Sequence, residues 1–163
     1  MRVSPLAAIN LWLLLTVAAI GGEIVGKVVG VHDGDTITVL TAEKVEAKVR
    51  LEGIDALELK QPFGNASKQE LSKLVFGKAV RVVDKGKDRY KRTLGGVYVG
   101  DVWANEAQVR AGAAWVFLRY SHDPALLAAE KLARDARRGL WRDKEPVPPW
   151  EWRSKKAQKT ASP

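Results

Sequence analysis

From Val45 to Glu52 the chain alternates apolar and charged side chains, with Val45, Ala47, Val49 and Leu51 set against Glu46, Lys48, Arg50 and Glu52. Successive side chains of a strand point to opposite faces, so this segment predicts a wall with one packed face and one charged face. The alternation stops at Gly53, where a strand end or a bulge is expected. Two β-patterned segments precede it, the Val-rich stretch 24–31 and the β-branched stretch 36–40. They are joined through Asp33-Gly34, a pair suited to a tight hairpin turn. Residues 79–83 and 94–99 read as two more strands, separated by the basic connector 85–92.

Helical patterns fall between and after these strands. One follows Pro62-Phe63-Gly64, with Asn65 as its N-cap, Leu71, Leu74 and Val75 on one face and Gly77 at its end. A short helix is expected over 105–111, stopped by Gly112. The third starts at Asp123-Pro124, a cap followed by proline in the first turn. Its predicted apolar stripe is Ala125, Ala128, Leu132 and Ala136, with Ala129 and Leu126 beside it, its last turn carries Arg134, Arg137 and Arg138, and Gly139 ends it. Five short strands are too few for a sandwich and suit a small closed barrel. The expected fold class is α+β, mainly β: an OB-fold five-stranded barrel flanked by three helices.

The two ends read differently from this centre. Residues 1–22 carry Arg2 and then a nearly unbroken apolar run from Leu6 to Ile20 that ends in small residues, the order of a secretory signal peptide. Cleavage is expected after Gly21 or Gly22, with an uncleaved signal anchor as the alternative, and the chain is expected to be secreted or periplasmic, or membrane-anchored and facing outward. Residues 23–152 form the folded domain. From Arg153 onward, Lys155, Lys156 and Lys159 join that arginine with no acid and no apolar period, so 153–163 is expected to be a disordered basic tail. Trp141, Trp150 and Trp152 are read as packing after the last helix.

Lys+Arg 27 against Asp+Glu 19 gives a net charge of +8, and Arg2 is the one cation in the leader, so the surplus belongs to the domain. Such a surplus points to a polyanionic partner, nucleic acid above all. With Cys 0 and His 2, thiolate zinc sites, cysteine nucleophiles and multi-histidine metal sites are excluded. A divalent metal here takes carboxylates, carbonyls and water, the ligands of a hard cation. Asp33, Asp35 and Asp55 are the carboxylates near the first hairpin and the end of the third strand. Glu58 lies in the loop beyond as a candidate base, and Arg50 and Arg92 are candidate phosphate ligands. Strict alternation puts Arg50 and Asp55 on opposite strand faces, so they share a site only if the chain bends at or after Gly53.

VHDGDTITV, VRLEGIDALE, DRYKRTLGGVYV, NEAQVRAGAAWV and ARRGLW, in that order, resemble the thermonuclease family, proteins similar to staphylococcal nuclease. The resemblance implies that Asp35 and Asp55 bind Ca²⁺ together with the Ala56 carbonyl, with Asp33 as a nearby supporting carboxylate. It implies that Glu58 is the general base, that Arg50 and Arg92 bind the scissile phosphate, and that Arg89 and Tyr90 contact a neighbouring phosphate. An aromatic that stacks on the base falls near Leu118, where Trp115, Phe117 or Tyr120 would substitute. Leu57 stands where the family usually has proline, which implies a slower enzyme. The expected function is an exported Ca²⁺-dependent endonuclease acting on DNA and RNA with little sequence specificity and leaving 3′-phosphate ends. The alternative is a non-catalytic nucleic-acid-binding module of the same family. A monomer is expected, with no protein partner implied and membrane contact only if the leader stays uncleaved.

Overall fold

A computed structural model describes residues 22–161. The signal peptide expected over 1–22 therefore lies outside the described residues, Gly22 excepted. Strands β1 (Glu23–Val31), β2 (Thr36–Thr41) and β3 (Glu46–Leu51) form an antiparallel meander. A short strand β4 (Ile54–Ala56) follows, then helix α1 (Gly64–Val75) and strands β5 (Ala79–Lys87) and β6 (Thr93–Val99). The order β3-β2-β1-β5-β6 closes on itself because β6 runs parallel to β3, with Val49 opposite Thr93 and Leu51 opposite Gly95. That is the expected five-stranded barrel.

The remaining elements cover one side of it. They are β7 (Val102–Trp103), α2 (Ala104–Arg110), β8 (Ala114–Val116), α3 (Pro124–Asp135), a 3₁₀ turn over Gly139–Arg142 and α4 (Pro149–Ala161). Strand β8 pairs with β4 apart from the barrel sheet, setting Asp55 opposite Trp115. The inward residues of the strands, among them Val28, Ile37, Val39, Val49, Leu51, Val82 and Val97, make the main core. Each such side chain contributes about 1.5–3 kcal/mol on burial. A second cluster joins Leu57, Trp115, Ala133, Leu140 and Trp141, with Phe63 and Trp150 against it.

Several local expectations change. Val45 is 59% exposed, because it sits in the β2–β3 turn, where Thr41 N–H donates to its carbonyl, and not on the barrel wall. Helix α1 begins before Asn65: its N-cap is Phe63 in a left-handed conformation, reached through the tight turn in which Gln61 N–H bonds Glu58 O and Gly64 N–H bonds Gln61 O. Helix α3 keeps its predicted cap, Asp123 Oδ1 accepting from Ala125 N–H at 2.8 Å and Leu126 N–H at 3.3 Å. Its buried stripe, however, is Leu126, Ala129 and Ala133, while Ala125, Ala128, Leu132 and Ala136 face out. Both stripes share the helical period; the one that packs is the one whose neighbour Glu130 accepts a hydrogen bond from Val116 N–H of β8. A fourth helix joins the expected three. The stretch from Arg153, expected as a disordered tail, is helical to Ala161 as part of α4.

Candidate active site

The site starts from the turn between β1 and β2. Asp33 Oδ1 accepts from Asp35 N–H at 3.0 Å, holding the turn, and the Gly34 carbonyl accepts from Gln108 Nε2 at 2.8 Å. A Cβ on Gly34 would overlap the Ser67 hydroxyl and come within 2.7 Å of the Ala56 Cβ. Glycine therefore lets the turn lie directly against β4 and α1. This contact brings Asp35 to β4, where its Oδ2 accepts from Ala56 N–H at 2.7 Å.

The bend that Arg50 and Asp55 require is present. Gly53 adopts φ +75°, a left-handed conformation that glycine takes without a Cβ penalty, and its carbonyl accepts from Phe117 N–H. The chain leaves β3, turns, and resumes as β4 with Asp55 on the side of Arg50. Arg50 Nη1 pairs with Asp35 Oδ1, while Nη2 reaches Asp55 Oδ1 at 2.9 Å and the Ile54 carbonyl at 3.3 Å. Asp35 and Asp55 are both buried. Burial, with Asp35 close by, pushes Asp33 up to about 6. Burial also raises Asp55; Asp35 adds to this, and Arg153 and Arg50 oppose it. Burial works against the Arg50 charge, but Asp35, Asp55 and Asp33 outweigh it and hold the guanidinium firmly protonated.

Arg92 approaches from the other side of the cleft. Its Nε donates to Asp88 Oδ2 at 2.8 Å and its Nη1 lies 3.4 Å from Thr36 Oγ1, which in turn donates to Asp35 Oδ1. Asp88, not anticipated from sequence, also accepts from the backbone N–H groups of Tyr90 and Arg92 and so shapes the turn carrying Arg89, Tyr90 and Arg92. The Arg89 and Arg92 guanidiniums lie over the Tyr90 ring at 4.7 and 5.4 Å from its centroid.

Glu58 sits half-exposed at the cleft edge. Its N–H donates to Gln61 Oε1 at 3.2 Å, and Gln61 Nε2 donates to the Val147 carbonyl at 2.6 Å. Leu57 is buried in the second core cluster. Packing and the Gln61 bonds thus fix this loop without a proline at position 57. Arg153 is the residue that the sequence reading put outside the domain. Its Nη2 donates to Asp55 Oδ2 at 2.7 Å, and its Nη1 donates to Glu58 Oε1 at 2.9 Å and to Asp55 Oδ1 at 3.3 Å.

The acids and arginines named above, together with Tyr90, line one open cleft of about 870 Å³. Phe117, Tyr120 and Trp150 line it as well, Tyr120 being 72% exposed, whereas Trp115 is buried in the second cluster and the exposed Leu118 is not part of the lining. Trp150 stacks on Phe117 with ring centroids 5.4 Å apart and planes 10° apart. His32 is exposed and bonds Thr38 Oγ1. Among the described residues no three His, Cys, Asp or Glu side chains group so as to hold a metal ion by themselves. The donors that do converge are oxygens, the Asp35 and Asp55 carboxylates meeting around Arg50 beside the β4 backbone. A hard divalent cation completed by backbone oxygen and water fits that set, and zinc does not.

A family model described as "Staphylococcal nuclease homologue" matches residues 48–143. The chain belongs to the staphylococcal nuclease homologue family. The stretch matched by that family contains Arg50, Asp55, Glu58 and Arg92; Asp33 and Asp35 precede it and Arg153 follows it. This staphylococcal nuclease homologue is 48% identical over 135 residues to a protein of Escherichia coli O157:H7 named "Uncharacterized endonuclease", an alignment covering 82% of this chain and 88% of that one. It is 41% identical over 158 residues to "Protein ParB" of Escherichia coli, covering 90% of this chain and 89% of that one. It is 39% identical over 117 residues to "Staphylococcal-like nuclease CAN1" of Arabidopsis thaliana, covering 70% of this chain and 36% of that one.

Proposed function

We propose that this chain is a Ca²⁺-dependent endonuclease that hydrolyses phosphodiester bonds of DNA and RNA with little sequence preference and leaves 3′-phosphate ends. One observation carries the reading: two buried carboxylates, two arginines and an accessible glutamate from three separate stretches of chain meet in a single open cleft. In this reading Asp35, Asp55 and the Ala56 carbonyl hold the cation, with Asp33 beside them. When bound, Ca²⁺ supplies positive charge to the phosphate oxygens. Glu58 takes the proton of the attacking water at a carboxylate oxygen as the new P–O bond forms, and the bond from phosphorus to the 5′ oxygen breaks, that oxygen taking a proton from solvent to leave as the 5′-hydroxyl. Arg50 and Arg92 bind the non-bridging oxygens and stabilise the charge that builds on them, a task for which two planar guanidiniums are suited. Arg89 and Tyr90 contact the next phosphate along the strand. Phosphates and rings are common to all nucleotides, so this arrangement reads little sequence.

Export completes the proposal. The apolar leader over residues 1–22 directs the chain out of the cytoplasm to surroundings where free Ca²⁺ is abundant, with a retained anchor as the variant of the same reading. Among the described residues no helix is long and apolar enough to cross a membrane.

The test is cleavage of labelled single-stranded DNA by the purified protein with Ca²⁺, with Mg²⁺ and with chelator, beside Glu58→Ala and Arg92→Ala. Each variant is expected to lose about 100-fold or more in kcat/KM. Salt-sensitive binding without cleavage in any metal would overturn the enzyme and leave the nucleic-acid-binding module.

A further inference from the structure

Two guanidiniums hold Asp55, and they are not equivalent. The Arg50 side chain is 15% exposed and enclosed by Asp35, Asp55 and the Ile54 carbonyl. The Arg153 side chain is 43% exposed and comes from another element altogether. Helix α4 delivers it. Pro149 is buried, Trp150 stacks on Phe117 and meets Trp115 edge-on at 5.7 Å, and the Gln61 amide ties the chain just before the helix at Val147. Residues three apart share a helix face, so anchoring Trp150 puts Arg153 over the same cleft. There its fork takes both oxygens of Asp55 and one of Glu58.

We infer that Arg153 is a built-in cation that competes with the divalent metal for Asp55 and keeps Glu58 paired until the metal arrives. This inference rests on the proposed metal-dependent reading of the cleft. A carboxylate whose two oxygens both face guanidiniums has little free electron density to offer, and a guanidinium beside a divalent cation repels it. Metal and Arg153 therefore cannot both be held at full strength. Of the two arginines, Arg153 is the one with room to leave, being exposed, long and tethered only through α4. Its departure frees Asp55 as a ligand and Glu58 as a base in one movement. The strength of this single ion pair then sets how much metal the site needs.

The experiment is calorimetric titration of Ca²⁺ into the full chain and into Arg153→Gln, Arg153→Lys, Asp35→Asn and Lys159→Gln. Arg153→Gln is expected to bind Ca²⁺ about tenfold more tightly, because a charge-assisted bidentate competitor is gone. Arg153→Lys keeps the charge without the planar fork and is expected to bind about threefold more tightly. Lys159→Gln, an exposed cation on the same helix, is expected to match the parent, and Asp35→Asn to lose binding. Thermal melts without metal check that each variant folds, and Arg153→Lys keeps the inference falsifiable if Arg153→Gln does not. Equal or weaker binding in both Arg153 variants, with the parent still binding in a manner that Asp35→Asn abolishes, overturns the inference and leaves the metal site standing. No Ca²⁺ binding by the parent and by both variants overturns the inference and the metal-dependent reading together.

Discussion

At the scale of single residues, Arg92 depends on an acid outside the proposed metal and base set. Asp88 grips Arg92 and also orders the turn that carries it. Asp88→Asn should therefore lower kcat/KM about tenfold while leaving the melting temperature within a few degrees, since a partly exposed pair contributes little to stability; steady-state kinetics and thermal melts read the two effects separately. Glu52 behaves in the opposite way. Burial raises its carboxyl above the ordinary range, Lys85 opposes the shift and Asp123 adds to it. A raised folded pKa means that the ionised form is the disfavoured one in the fold, so the associated stability is full in acid and lost as pH rises through that pKa. Glu52→Gln should accordingly stabilise the protein at about pH 8 and give no gain at about pH 4, in urea unfolding at the two values.

At the scale of elements, the loop from Leu57 to Gly64 shows how packing substitutes for a stiff residue. Proline would restrict this loop through its own ring. Here Leu57 is buried among Trp115, Ala133, Leu140 and Trp141, and Gln61 ties the loop both to Glu58 and to Val147. Leu57→Ala should cost about 2–4 kcal/mol in urea unfolding, as truncations that leave a cavity do. It should also reduce kcat more than KM, because Glu58 is the next residue on the loosened loop. Helix α3 carries the complementary lesson. Two apolar stripes of the same period were legible in its sequence, and periodicity alone does not say which one meets α2 and β8. The tie between Glu130 and Val116 N–H selects one of them, and that tie joins residues of different elements.

Across the whole molecule, the cleft is assembled by closure. The hairpin turn, the β3–β4 bend, the turn after β5 and the first half of α4 all reach it, and α4 does so only because Trp150 is seated on Phe117. A chain ending at Trp152 keeps that anchor and should unfold in urea nearly as the full chain does. A chain ending at Val147 loses Trp150 and should be less stable by about 3–5 kcal/mol, the usual cost of removing a large packed aromatic. A freely disordered tail beginning at Arg153 would make the first truncation silent at the site as well. The ion pairs of Arg153 with Asp55 and Glu58 instead tie that truncation to the state of the carboxylates.

Alternation and turn residues are local, so the strands, the hairpin at Asp33-Gly34 and the α3 cap were legible along the chain, and Asp35, Asp55, Glu58, Arg50 and Arg92 stood there as candidates only. Composition likewise decided that any metal here is held by oxygen. What periodicity does not carry is which distant stretches meet. The left-handed turn at Gly53 brings Arg50 and Asp55 to one side, and barrel closure brings Arg92 to Thr36 and Asp35. The contact of Arg153 with Asp55 spans 98 residues and depends on aromatic packing between β8 and α4. A polar, basic segment looks disordered when read alone because it has no apolar face of its own. It becomes a helix with a place in the site because Trp150, one turn earlier, packs half-buried against the second core cluster.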